Sequence, residues 1–163
     1  MRKLRIYIET SVWSFAFAED VPNYREDTLA FLERCRAGMF ETFVCPLVLE
    51  EIERASEPLR TKLAELVRQI GPTLIEFSPP AAELADRFVR EGVVPAGKPE
   101  DAGHVAAAFI EEMDVLVSWN FRHIANVRRA ERFNAVAILA GYHRPLRIVN
   151  PAEVLYDEED ESP

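Results

Sequence analysis

Residues 99–121, PEDAGHVAAAFIEEMDVLVSWNF, decide how the rest of the chain is read. Ala102, Val105, Ala106, Phe109, Ile110 and Met113 recur at the spacing of one helix face, over about three turns. The pattern then changes, without a long loop, to the apolar run of DVLVSW, which reads as a strand. A helix leading directly into such a strand is half of a βαβ crossover, and strands joined by crossovers lie parallel with both faces covered.

The same alternation extends in both directions. RIYIE, ETFVCP and TLIEF read as earlier strands and LRIVNP as a short last one. Between them lie helical stripes: Tyr24, Thr28, Phe31, Leu32 and Cys35; the start LVLEEIERA; Leu59, Leu63, Leu66, Val67 and Ile70, ended by Gly71-Pro72; and Ala81, Leu84, Ala85 and Phe88. Residues 93–99 read as a loop, and helical segments cover roughly 121–142. The expected architecture is one α/β three-layer sandwich, a parallel sheet of four to five strands with helices on both faces, spanning residues 1–156. The segment DEEDESP (157–163) is expected to be a solvated, disordered acidic tail.

A chain of 163 residues can bury a core without staples, and 48% apolar with 29% charged residues is globular composition. No apolar run suits a signal peptide or a membrane span, and Cys35 and Cys45 lack metal-type spacing, so a cytoplasmic location is expected. Net charge is −9, of which five carboxylates lie in 157–161, leaving −4 on the rest. That balance argues against strong non-specific nucleic-acid binding and leaves room for a local basic patch.

In a parallel sheet the functional surface lies beyond the carboxyl ends of the strands. Glu9 ends the first strand, in LRIYIETSVWSF (4–15); Glu50 and Glu51 open the helix after the second; Asn120 follows the fourth; Asp101 begins the helix leading into it. Each has an ordinary explanation. Acids favour the first turn of a helix, Asn suits a turn, and Thr10 or Ser11 suits a helix cap. Their meeting on one rim is the stronger signal. Asp114 opens the fourth strand about 20 Å from Asn120, at the opposite edge, and reads as structural. Trp119 reads as core before a base-stacking ring and Trp13 as core or interface; His104, one turn after Asp101, is placed to meet a metal or substrate but reads first as a packed helix histidine.

IYIETSVWSF, VCPLVLEEIERA, PEDAGHVAAA, MDVLVSWNFRHIAN and PLRIVNPAEVL stand in the order and spacing of PIN-domain proteins. Over residues 4–155 the chain resembles the branch related to VapC-type toxins of toxin–antitoxin pairs. The resemblance implies a metal-dependent ribonuclease hydrolysing RNA phosphodiester bonds, with Mg²⁺ or Mn²⁺ held by Glu9, Glu51 and Asp101, and Asn120 completing the catalytic set. It also implies RNA and an antitoxin protein as partners; a homodimer is the expected assembly. The residue types agree, since hard cations take oxygen ligands and can acidify an attacking water. Glu9 and Asn120 stand where most of the family has Asp. The longer acid moves its carboxylate by more than an ångström, and the amide removes a charge, so one firmly held ion is expected, a second arriving with substrate.

Thr10 and Ser11 are candidates to hold a phosphate oxygen or a water. In NFRHIANVRRAER, Arg122, His123, Arg128, Arg129 and Arg132 are candidates to grip RNA phosphates, Arg122, His123 and Arg128 foremost. The alternative class is a non-catalytic PIN scaffold that binds RNA or a protein. A phosphoacceptor or phosphatase fits badly, because strand one ends in Glu9 without an aspartate pair and no lysine follows the last strand. Dinucleotide binding lacks its G-x-G-x-x-G.

Overall fold

The computed structural model describes the backbone of residues 2–160 and the side chains of residues 2–155. The acidic segment 157–163 lies outside the described side chains, and 161–163 outside the description altogether. Five strands, β1 (Arg5–Ile8), β2 (Glu41–Val44), β3 (Thr73–Leu74), β4 (Val115–Val117) and β5 (Arg147–Val149), pair in parallel in the order β3-β2-β1-β4-β5. The expected α/β sandwich with helices on both faces is the architecture observed. β1 is the central strand. Ile6, Tyr7 and Ile8 are fully buried, as a strand covered on both faces requires.

Between the strands run α1 (Thr10–Phe15), α2 (Pro22–Arg36), α3 (Pro46–Glu53), α4 (Leu59–Ile70), α5 (Pro79–Arg90), α6 (Pro99–Ile110) and α7 (Val127–Leu139), with α8 (Pro151–Asp160) after β5. The chain lays β2 and β3 to one side of β1, then returns to lay β4 and β5 on the other. Right-handed crossovers put the helices of the two runs on opposite faces. Accordingly α1, α2, α4 and α8 pack together, while α5 packs on α6 and α7.

Three expectations differ in detail. The third strand is two residues long instead of the five of TLIEF: at the sheet edge it has only β2 to pair with, and both residues are exposed. The helical region expected from 121 begins at Val127, because turns at Asn120 reverse the chain first and Asn126 Oδ1 caps α7 by accepting from Arg129 N at 2.9 Å. Of the stripe on α4 only Leu63 is fully buried; Leu59 is exposed.

Asp114 lies at the amino edge, as expected. Its carboxylate accepts from Arg2 at 2.7 and 3.0 Å, from the Arg5 backbone amide at 2.8 Å, and from Arg144. The bond from Arg2, more than anything else, holds its pKa at about 2 against the opposing effect of burial. The folded pKa lies below the usual 3.8, so this stabilisation is present above about pH 4 and is lost as pH falls toward 2. Asp114→Asn is expected to lower stability by about 1–2 kcal/mol at pH 7, allowing for the exposure of Arg2. Urea unfolding checks this: the gap between variant and parent narrows by about half at pH 3. A gap independent of pH would remove the ion pairs from the account.

Candidate functional site

β1 and β4 are neighbours that belong to runs growing in opposite directions, so the loops leaving their carboxyl ends part here, the place where parallel sheets carry their sites. Glu9, only 4% exposed, stands at this point. It is itself the N-cap of α1, a place usually given to a shorter side chain, with Oε2 accepting from Ser11 N at 3.2 Å. Oε1 accepts from two hydroxyls, Ser11 Oγ at 2.5 Å and Ser118 Oγ at 2.6 Å. The same two serines tie down the end of β4: Trp119 N donates to Ser11 Oγ at 2.8 Å and Asn120 N to Ser118 Oγ at 2.9 Å. A carboxylate taken out of water is thus supplied with donors from both strands' ends.

Glu51 comes from α3 and meets His104 of α6, Nε2 to Oε1, at 2.5 Å. Gly103 lies against α3: a Cβ there would fall 2.5 Å from Leu47 Cδ1, so that side-chain tip would have to turn aside. His104 is fully buried, with Nδ1 2.7 Å from Tyr7 Oη, which lies 3.0 Å from Cys45 Sγ. Thr10 Oγ1 is 3.5 Å from Nε2. Burial works against a charge on His104, but Cys45, Glu51 and Glu9 around it outweigh burial and hold its pKa up at about 10. Burial pushes the Tyr7 hydroxyl well above its usual range, so it is a neutral phenol. For Cys45 burial acts upward, and the nearby His104 together with the contact to Tyr7 Oη brings the thiol below its usual value. One atom each from Glu9, Glu51 and His104 lies within 4.8 Å of the other two, two carboxylates and an imidazole that suit a divalent cation.

Asp101, on the same helix as His104, takes a different partner: His123 Nδ1, 2.9 Å from Oδ2. Asn120 Oδ1 accepts from His123 N at 3.0 Å and so fixes the turn that carries the ring. Among the described residues His123 Nε2 has no protein partner, and it touches solvent. The rim therefore holds two part-buried His–carboxylate pairs: in one the imidazole is buried and Glu51 reaches solvent, in the other His123 and Asp101 are each largely covered.

The sequence-derived candidates gather here with different duties. Glu9, Glu51 and His104 face one point, and Asp101 pairs with His123. Asn120 spends its carbonyl on a backbone amide. Ser11 faces Glu9 and the Trp119 amide, and Thr10 is buried beside His104. Glu50 is exposed. Of the basic segment, Arg129 binds Val93 O and Arg132 binds Glu91 O, whereas Arg122 and Arg128 are exposed with no side-chain bond or ion pair among the described residues. Trp119 is core, with Nε1 donating to Thr28 Oγ1 at 2.7 Å, and Trp13 is buried likewise. Ser118 is the residue that sequence reasoning missed; its signal is a hydroxyl immediately after Val-Leu-Val at a strand's carboxyl end. An apolar groove of about 630 Å³ opens elsewhere, lined by Ala16, Phe17, Leu29, Pro58 and Leu66 among others, and none of the rim residues border it.

No protein-family model matches the chain, and no curated protein matches it in sequence. Among solved structures it is similar to a chain in the crystal structure of VapBC2 from Rickettsia felis bound to a DNA fragment from their promoter. The TM-score is 0.58 at 15% identity, covering 90% of this chain and 98% of that one. At that identity the likeness is one of fold, and the fold is a PIN-like α/β sandwich.

Proposed function

We propose that the chain is a metal-dependent ribonuclease that hydrolyses RNA phosphodiester bonds, the toxin of a toxin–antitoxin pair. The observation carrying this is the convergence of Glu9, Glu51, His104 and the Asp101–His123 pair where the sheet order reverses. A bound Mg²⁺ or Mn²⁺ supplies positive charge for phosphoryl oxygens and a more acidic water. Glu9 and Glu51 would hold it, Glu9 kept rigid by Ser11 and Ser118. Asp101 orients His123 through Nδ1, leaving Nε2 to pass a proton at the reacting phosphate. Arg122 and Arg128 are free to meet flanking phosphates. An antitoxin protein is the expected partner, and the exposed Leu59 and groove-lining Leu66 of α4 are open to it; a homodimer is the expected assembly.

One observation favours the second reading, a non-catalytic scaffold: the three covered acids of the rim each bond a neighbour, Glu9 the serines, Glu51 His104 and Asp101 His123. Incubating the purified chain with mixed-sequence single-stranded RNA decides between them. The nuclease yields cleavage that requires Mn²⁺ or Mg²⁺, stops with EDTA, and falls about 10- to 100-fold in Asp101→Asn. RNA bound intact, indifferent to EDTA and to that substitution, supports the scaffold.

A further inference from the structure

His104 has a support that the reading above does not use. Its Nδ1 is held by Tyr7 Oη, and that hydroxyl is in turn held against Cys45 Sγ, all three groups being buried. A ring anchored this way presents one nitrogen only, and Nε2 faces Glu51 Oε1. One ring nitrogen fixed on a hydrogen-bonding partner, the other facing carboxylates, is how proteins orient a histidine that binds a metal.

Acceptor counting shows where an ion finds room. An ionised carboxylate has about four lone-pair sites. Glu9 Oε1 receives both serine hydroxyls and Oε2 the Ser11 amide, so the remaining site is on Oε2. Glu51 has only Oε1 engaged, by His104. Oxygen from two acids and nitrogen from one imidazole therefore converge.

Resting on the divalent-ion reading, we propose that His104 Nε2 is a direct ligand beside Glu9 and Glu51, and that the site takes a first-row transition dication of the Mn²⁺, Fe²⁺, Co²⁺ or Zn²⁺ class ahead of Mg²⁺. Mg²⁺ prefers oxygen and water, whereas imidazole adds affinity for the later ions. Tyr7 and Cys45 are positioning residues: with Nε2 on the ion, Nδ1–H donates to Tyr7 Oη and the Tyr7 hydroxyl donates to Cys45 Sγ. Binding requires that the proton shared by His104 Nε2 and Glu51 Oε1 leave to solvent, so uptake of the ion releases a proton.

The test uses the full chain with Mn²⁺ alone as probe. Electron spin-echo spectroscopy of bound Mn²⁺ is expected to show ¹⁴N coupling that changes to ¹⁵N coupling when histidine is labelled. Mg²⁺ in about 100-fold excess should leave the Mn²⁺ in place. Tyr7→Phe, its fold checked by thermal melting, should weaken Mn²⁺ binding about 10- to 100-fold with little change for Mg²⁺. Bound Mn²⁺ without nitrogen coupling, or displaced by equimolar Mg²⁺, overturns the proposal and leaves an oxygen-only site on which the ribonuclease reading still stands. No Mn²⁺ binding overturns it too, with His104 then serving as the cation between the acids. Nitrogen coupling in a chain that cuts no RNA supports the proposal and removes the nuclease.

Discussion

Glu51→Gln is expected to lower dication-dependent RNA cleavage by at least about 100-fold while moving the thermal midpoint by no more than about 3 °C. A hundredfold loss is about 2.7 kcal/mol of transition-state stabilisation, the scale of one charged group at a phosphoryl centre. The fold should tolerate the change. Glu51 is 26% exposed at its side chain and makes one bond, to His104, which a glutamine carbonyl can still accept. What disappears is the negative charge. Glu9 could not give so clean an answer: two hydroxyls and an amide already donate to its carboxylate, and an amide group turned toward them would leave buried donors unpaired. Initial rates with Mn²⁺ and melting curves of both proteins make the measurement. Cleavage within threefold of the parent would take Glu51 out of the reaction.

The largest loss of stability is expected at Trp119. Trp119→Ala should cost about 3–5 kcal/mol, the usual range for removing a buried aromatic. The ring is 4% exposed, stacked 5.7 Å from Phe15 and packed 4.6 Å from Tyr24 and 5.7 Å from Phe121, and its Nε1 bonds Thr28. It thereby fastens the end of β4 to α1 and α2. The midpoint should fall by about 10 °C. Trp119→Phe keeps the stacking and drops one hydrogen bond, so about 1–2 kcal/mol is expected. Denaturant unfolding of both variants checks the order; a cost below about 1 kcal/mol for the alanine would mean that the rim is held elsewhere.

Much of this was legible in the residues. Helical spacing located α2, α5 and α6 because each buries a contiguous stripe, and the rule that sites lie beyond the carboxyl ends of parallel strands put Glu9, Glu51, Asp101 and Asn120 on one rim. The division of labour among them was not. His104 sits in an alanine-rich stripe and reads as packing, since nothing local tells that its ring meets Glu51 from a helix 53 positions earlier. Asp101 pairs with His123 through a turn that only the bond from Asn120 defines. Arg129 and Arg132 belong to the same basic run as Arg128, and only the fold shows that carbonyls of the loop after α5 engage them. Tertiary partners decided each case, and side-chain type alone could not.

Placing β1 at the centre of the sheet also sets a timetable. Its β2 neighbour follows within about 35 residues, but Arg5 and Asp114, clasped where β1 meets β4, are 109 apart. At ribosomal speed that is a wait of roughly 5–20 s, during which one side of the innermost strand has no mate. Non-local pairing of this kind slows folding and leaves a sticky edge in the growing chain. The strand is four residues long and opens with an arginine, a length and a charge that limit what else can add to it meanwhile.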